Sequence, residues 1–174
     1  MGPLSVGEFE KDFKKIKELL AIMSANILKQ TLVKVLEALM SADNMTRKSA
    51  ETFFSDSLRT DSQGIVQCLL SIISDKSCDS LYRSFAGVLL RRAIEKCQFS
   101  PEMTSELRLQ LVQLWQCETD PTLVKRLSHI ISQSAMNSSW PDLLPCVINN
   151  VSVRYYVFCS SYSHLMSSVL KSLK

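Results

Sequence analysis

Glycine and proline are scarce in this sequence. The 174 residues include four glycines and five prolines, and two of the glycines lie within the first seven residues. β-Sandwiches and small barrels need frequent tight turns, which these two residue types supply. The scarcity of both argues against an all-β fold, and we expect a chain built from helices.

The sequence also lacks the residue groupings that bind metals or carry out well-known catalytic reactions. Six cysteines are present, but none forms a CxxC pair, and the two histidines, His129 and His164, do not complete a set of zinc ligands. No glycine-rich phosphate loop, GxSxG turn or HExxH motif occurs. We expect no catalytic site, metal or cofactor, and we interpret His129 as a structural side chain on a helix.

Neither charge nor hydropathy points to nucleic acid or to a membrane. The formal net charge is +3, and 46% hydrophobic residues are interrupted by 21% charged ones. Such a small, scattered charge does not define a nucleic-acid surface, and the apolar runs are too interrupted to span a bilayer. The first residues also lack the pattern of a secretory signal. We therefore expect reduced cysteines, with Cys117 as a packing residue.

Apolar residues recur along the chain at helical spacing. Residues 9, 13, 16 and 20 form one stripe, and residues 28, 32, 35 and 39 form a second with the same offsets. Ser24 or Asn26 is a suitable N-cap between them, so the spacing predicts two helices here. Similar stripes predict further helices over residues 45–58, 65–73, 79–97, 101–118 and 121–135, and another after Trp140.

An acidic turn recurs between these predicted helices. Asp43, Asp79 and Asp120 each follow one apolar helix and precede another, and they lie 36 and 41 positions apart. A basic residue, Arg47 or Arg83, follows the first two about one turn later. This period is typical of HEAT and armadillo repeats and favours a solenoid over a helix bundle. The predicted fold is all-α, an α-α superhelix of about four helix pairs.

Three motifs within this pattern resemble the N-terminal region of the importin-β (karyopherin-β) nuclear transport receptors. Residues 36–51 resemble its opening repeat, with an RxxAE helix after a polar turn; residues 85–92 resemble its second-repeat helix, which ends in basic residues. The Trp-Pro pair at 140–141 resembles the start of its fourth repeat. The resemblance covers about residues 32–151 and implies a HEAT-repeat fold.

The resemblance divides the chain into three parts. Residues 1–25 form an N-terminal extension or extra helix, residues 26–151 form the HEAT repeats, and residues 152–174 form an atypical tail or capping helix. Receptors of this family are several times longer, so we interpret the chain as an N-terminal fragment. We also expect self-association through an uncovered end of the solenoid.

The function implied by the resemblance is nuclear transport of proteins. Receptors of this family bind the GTPase Ran in its GTP form through the second helices of their first repeats, and they also bind cargo and nucleoporins, here through repeats beyond this segment. The resemblance therefore implies a protein of the cytoplasm and nucleus that binds neither nucleic acid nor membranes directly. The polar positions that it implies as Ran contacts are Lys48, Glu51, Arg91, Arg92 and Lys125.

Two alternatives remain open at this point. The chain is compatible with a HEAT-repeat scaffold or regulatory subunit that assembles proteins without Ran, and remotely with a helical enzyme whose site has no recognised motif. Basic residues on the second helices either face a partner or bridge neighbouring repeats, and Arg83 is a candidate for the second role because it follows a turn.

Overall fold

The computed structural model describes the backbone of residues 6–137, 140–141, 143 and 145–147, and the side chains in those ranges from residue 23 onward except 136 and 137. This part of the chain forms six α helices and no strand, and residues 145–147 are again helical. None of the described helices combines the length and apolar composition needed to cross a bilayer. The helices are α1 (Val6–Leu39), α2 (Asn44–Thr60), α3 (Ser62–Ser74), α4 (Ser80–Lys96), α5 (Pro101–Cys117) and α6 (Pro121–Asn137).

The helices pack as three successive pairs. α1 contacts α2, α3 contacts α4, and α5 contacts α6. The first helices of the pairs also contact one another, α1 with α3 and α3 with α5, and α4 contacts α6 in the row of second helices. This arrangement is an α-α superhelix, so the predicted fold class is confirmed; helical residues 145–147 follow the third pair in sequence.

The recurring aspartates cap the second helix of each pair. The carboxylates of Asp43, Asp79 and Asp120 each accept a hydrogen bond from a backbone N–H two or three residues later, at 2.8, 2.7 and 2.8 Å. A helix begins with N–H groups that have no partner within the helix, and a side-chain oxygen at the cap satisfies one of them. The acidic turns thus fix where α2, α4 and α6 begin, as the sequence predicts.

The first two predicted helices are in fact one. α1 runs without a break through Ser24 and Asn26, so the prediction that one of these residues caps a second helix was wrong. No proline occurs between Pro3 and Pro101, so nothing removes a backbone donor within α1. Serine and asparagine inside a helix cost only a few tenths of a kcal/mol relative to alanine, and here both are exposed.

The core lies between the two rows of helices, with α3 at its centre. α3 contacts α1, α2, α4 and α5, and Leu69, Ile72 and Ile73 on it are fully buried. Leu32 and Leu36 reach this core from α1. Further fully buried side chains come from the later pairs and form a continuous core with these: Leu90, Leu111, Leu123, Leu127, Ile130 and Ile131.

The cysteines differ in their surroundings. Burial raises the pKa of the Cys68 thiol to about 11, so this side chain stays protonated within the core. Cys117 is exposed at the end of α5, and the prediction that it packs was wrong. It follows the buried Trp115 by two positions, which corresponds to a rotation of about 200° around a helix.

We expect Gly87→Ala to stabilise the protein. Gly87 is buried inside α4, where a Cβ atom would lie 3.6 Å from Arg126 and 3.7 Å from Leu123, which is ordinary van der Waals contact. Alanine in a helix interior is favoured over glycine by about 0.5–1 kcal/mol. Urea unfolding should show a rise of that size in the free energy of unfolding.

Gly64→Ala is the matched control in α3. A Cβ there would lie 2.1 Å from a carboxylate oxygen of Asp61, which caps this helix by accepting from the Gly64 N–H at 2.8 Å. The carboxylate has to move, so this substitution should gain less than Gly87→Ala or destabilise the protein. A Gly87→Ala protein less stable than the wild type would contradict the described spacing of α4 and α6.

Candidate protein-binding surface

The second helices carry a group of exposed charged side chains. We call these residues the second-helix surface; they are contributed by α2, α4 and α6, where each pair presents a side to solvent. Cations outnumber carboxylates in this group, which suits a partner of negative potential. Its members are Lys48, Glu51, Asp56, Arg59, Arg91, Arg92, Glu95, Lys96 and Lys125.

All five residues predicted as Ran contacts are exposed, but the structure does not gather them at one point. Glu51 and Arg92 line the same cleft, whereas Lys48, Arg91 and Lys125 lie outside it. Arg91 instead donates through Nε to a carboxylate oxygen of its helical neighbour Glu95 at 2.8 Å.

The cleft lies between the C-terminal halves of α2 and α4. We call it the α2–α4 cleft; it has a volume of about 340 Å³. Apolar side chains contribute much of its lining: Leu39, Phe54, Leu58 and Leu89. Polar and charged side chains complete it: Glu51, Ser55, Arg59, Arg92, Lys96 and Cys97.

Arg83, a basic residue of α4, makes its contacts inside the protein. The Arg83 guanidinium donates to a carboxylate oxygen of Glu118, and both side chains are buried, at 7% and 4% exposure. Arg83 Nε also donates to the Ile73 carbonyl at 2.8 Å. The backbone N–H groups of Thr119 and Asp120 donate to the other Glu118 oxygen at 2.8 and 3.0 Å. Arg83 therefore bridges repeats and does not face a partner.

Burial and hydrogen bonding act in opposite directions on Glu118. Desolvation is the largest single effect and raises its pKa, but the Asp120 and Thr119 N–H groups and the positive charges of Arg83 and Lys76 together outweigh it. The pKa of Glu118 is therefore below its ordinary value of 4.5, and the side chain is ionised at neutral pH.

Arg126 on α6 also contacts the neighbouring pair. Its Nε donates to the Ser84 hydroxyl of α4 at 2.7 Å, and its side chain is half-buried, whereas the neighbouring Lys125 is exposed. Of the basic residues on the second helices of the second and third pairs, Arg83 and Arg126 join the repeats. Arg91, Arg92, Lys96 and Lys125 remain exposed to solvent.

The aromatic and titratable residues of the third pair have structural surroundings. Trp115 is buried and donates through Nε1 to the Ser128 hydroxyl at 2.9 Å. His129 is half-buried on α6 between the buried Ser128 and Ile130. Across the described ranges, no three histidine, cysteine, aspartate or glutamate side chains come together in a group able to hold a metal ion.

The stacked pairs and capped turns define a HEAT-type α-solenoid. Residues 50–115, from the middle of α2 to near the end of α5, match the family model of the importin-beta N-terminal domain. This match confirms the resemblance identified in the sequence, over the matched residues. No curated protein matches the chain.

Two solved structures have a similar fold. The crystal structure of Kap121p bound to RanGTP aligns with a TM-score of 0.67 and 19% identity over 85% of this chain. The crystal structure of Kap121p aligns with a TM-score of 0.71 and 20% identity over 85% of this chain. The present chain spans 14% and 15% of the lengths of those two chains. At 19% and 20% identity, the similarity shows a shared fold and nothing further about this chain.

We expect Glu118→Gln to destabilise the protein substantially. The substitution leaves the Arg83 guanidinium buried without its carboxylate, and removing one partner of a buried ion pair typically costs about 3–5 kcal/mol. Glu106→Gln, at an exposed position of α5, is the matched control and should change the free energy of unfolding by less than about 0.5 kcal/mol. Equal effects of the two variants in urea unfolding would contradict the assigned role of the pair.

The contribution of Glu118 should also depend on pH. Because its pKa is lower in the folded state than the ordinary value of 4.5, its ionisation stabilises the fold fully at pH values above 4.5. That contribution is lost as the pH falls through the folded-state pKa. The stability difference between wild type and Glu118→Gln, measured by urea unfolding from pH 7 to pH 3, should therefore shrink below pH 4.5. A constant difference would contradict this assignment.

Proposed function

We propose that this chain is the N-terminal part of an importin-β-like nuclear transport receptor and that its second-helix surface binds Ran·GTP. The importin-beta N-terminal domain match over residues 50–115 carries the proposal. The similar fold of Kap121p, which has been crystallised with RanGTP, supports it. Such a chain acts by shape and charge rather than by bond chemistry, so we assign it no catalytic role.

The proposed contacts are Lys48, Glu51, Arg91, Arg92 and Lys125. All five are exposed on second helices, so contact with a partner requires no repacking of the core. Three of them, Glu51, Arg91 and Arg92, also lie within the matched domain. Their net positive charge favours a partner of negative potential, and such charges act mainly on association rate and specificity.

Cargo and nucleoporins belong to the wider proposal. The chain spans only 14% and 15% of the Kap121p chains, so a receptor of that size has many further repeats with which to bind them. We propose that the complete receptor carries protein cargo and is present in both cytoplasm and nucleus. The division of this chain at residues 25 and 151, and its association through an uncovered end, remain predictions.

Binding to Ran in its two nucleotide states tests the proposal. We expect the purified chain to bind Ran loaded with a non-hydrolysable GTP analogue at least about tenfold more tightly than Ran loaded with GDP, measured by biolayer interferometry. Reversing both Arg91 and Arg92 to glutamate should weaken binding to the GTP form by about tenfold or more, because the two introduced carboxylates would repel a partner of negative potential.

Lys34→Glu, an exposed cation on α1, provides a charge-reversal control and should leave the affinity for Ran within about twofold of the wild type. Circular dichroism of each variant checks that the helices are retained. Equal affinity for the two nucleotide states, or no binding in a longer chain that contains further repeats, would contradict the proposal and favour a HEAT-repeat scaffold that works without Ran.

A further inference from the structure

The α2–α4 cleft has an apolar floor in addition to its charged residues. Contact with a partner through charges alone would not require such a floor. Phe54, Leu58 and Leu89 line it and are also members of the continuous core. They come from two different helices, and the core contacts of these side chains hold the shape of the floor. A groove with a fixed apolar floor is suited to receive an apolar side chain from another molecule.

The charges around this floor are unbalanced. Arg59, Arg92 and Lys96 line the cleft together with a single carboxylate, Glu51. Arg59 is paired with Asp56 one turn earlier on α2. Within the ranges that the structure describes, neither Arg92 nor Lys96 forms an ion pair. Two cations beside an apolar floor are therefore available to carboxylates from outside.

We propose that the α2–α4 cleft binds an acidic peptide segment of a partner protein, with one bulky apolar side chain on the floor and flanking carboxylates paired with Arg92 and Lys96. The cavity of about 340 Å³ is near the lower end of the range for ligand pockets, which suits one or two side chains of an extended segment. Apolar burial provides affinity, and the cations select against neutral and basic segments.

This proposal goes beyond the proposed binding of Ran and does not require it. The cleft includes Glu51 and Arg92 but not Arg91, Lys48 or Lys125, so a peptide that occupies it touches only part of the surface assigned to Ran. A linear peptide also has no nucleotide state. Peptide binding and Ran binding are therefore measured separately, and either can fail while the other succeeds.

Fluorescence anisotropy with a short synthetic peptide provides the first test. The probe carries a fluorescein label and a central leucine between two pairs of glutamates. Two control peptides replace the glutamates by glutamine or the leucine by serine. We expect the probe to bind at least about tenfold more tightly than either control, because each control lacks one of the two proposed interactions. Equal binding of all three peptides would overturn the proposal.

Charge reversal locates the binding site. The double substitution Arg92→Glu and Lys96→Glu should weaken probe binding by about tenfold or more, whereas Lys34→Glu on α1 should leave it within about twofold. The three positions are exposed, so the core is untouched. Loss of binding in the Lys34→Glu protein, or full binding in the folded double variant, would overturn the proposal.

Two thiols of the unaltered chain provide a test that depends on no substitution. Cys97 lines the α2–α4 cleft, whereas Cys117 is exposed on a separate groove between α3 and α5. With the probe at about ten times its Kd, iodoacetamide should alkylate Cys97 about tenfold more slowly, because about one tenth of the clefts remain open. Alkylation of Cys117, followed by mass spectrometry in the same sample, should be unchanged. Equal slowing of both thiols, or of neither, would overturn the proposal.

Discussion

The buried ion pair between Arg83 and Glu118 is the interaction on which the arrangement of the repeats depends. Two charges lie inside the stack, and such burial is tolerated only where the geometry satisfies both groups. Arg83 on α4 also holds the last turn of α3 through Ile73, and Glu118 at the end of α5 also holds the turn before α6 through two backbone N–H groups. One pair of side chains thus fixes four helices relative to one another.

Smaller polar contacts also hold neighbouring pairs together. Lys29 on α1 forms an ion pair at 2.6 Å with Asp75 at the end of α3, and this bond is the largest effect lowering the pKa of Asp75. Arg126 on α6 reaches Ser84 on α4. Apolar packing has little directional preference, so these directional contacts help to set the register of one pair on the next. The register in turn decides which side chains remain for a partner.

The sequence predicts the helices better than it predicts the contacts between them. Helix starts were predictable because an aspartate cap is a local device: Asp43 and Asp79 act within three residues of their own positions. The continuity of α1 was missed because Ser24 and Asn26 are good caps that also tolerate a helix interior. The role of Glu118 was not predicted because its ion-pair partner, Arg83, lies 35 positions away in the sequence. No local signal separates such a carboxylate from an exposed one.

The same limit applies to the binding surface, where adjacent residues have different environments. Arg91 and Arg92 differ by about 100° around α4, which is enough to leave Arg91 with its helical neighbour Glu95 and to place Arg92 in the cleft. A sequence motif that ends in two basic residues treats them as equivalent. In the structure, the environment of Arg92 depends on α2. Arg83 lies on a different face of α4, and its environment depends on Glu118 at the end of α5. The neighbouring repeat therefore decides whether a charged side chain of a solenoid is paired internally or exposed to a partner. The stacking of the pairs must be fixed before these residues can form a binding surface.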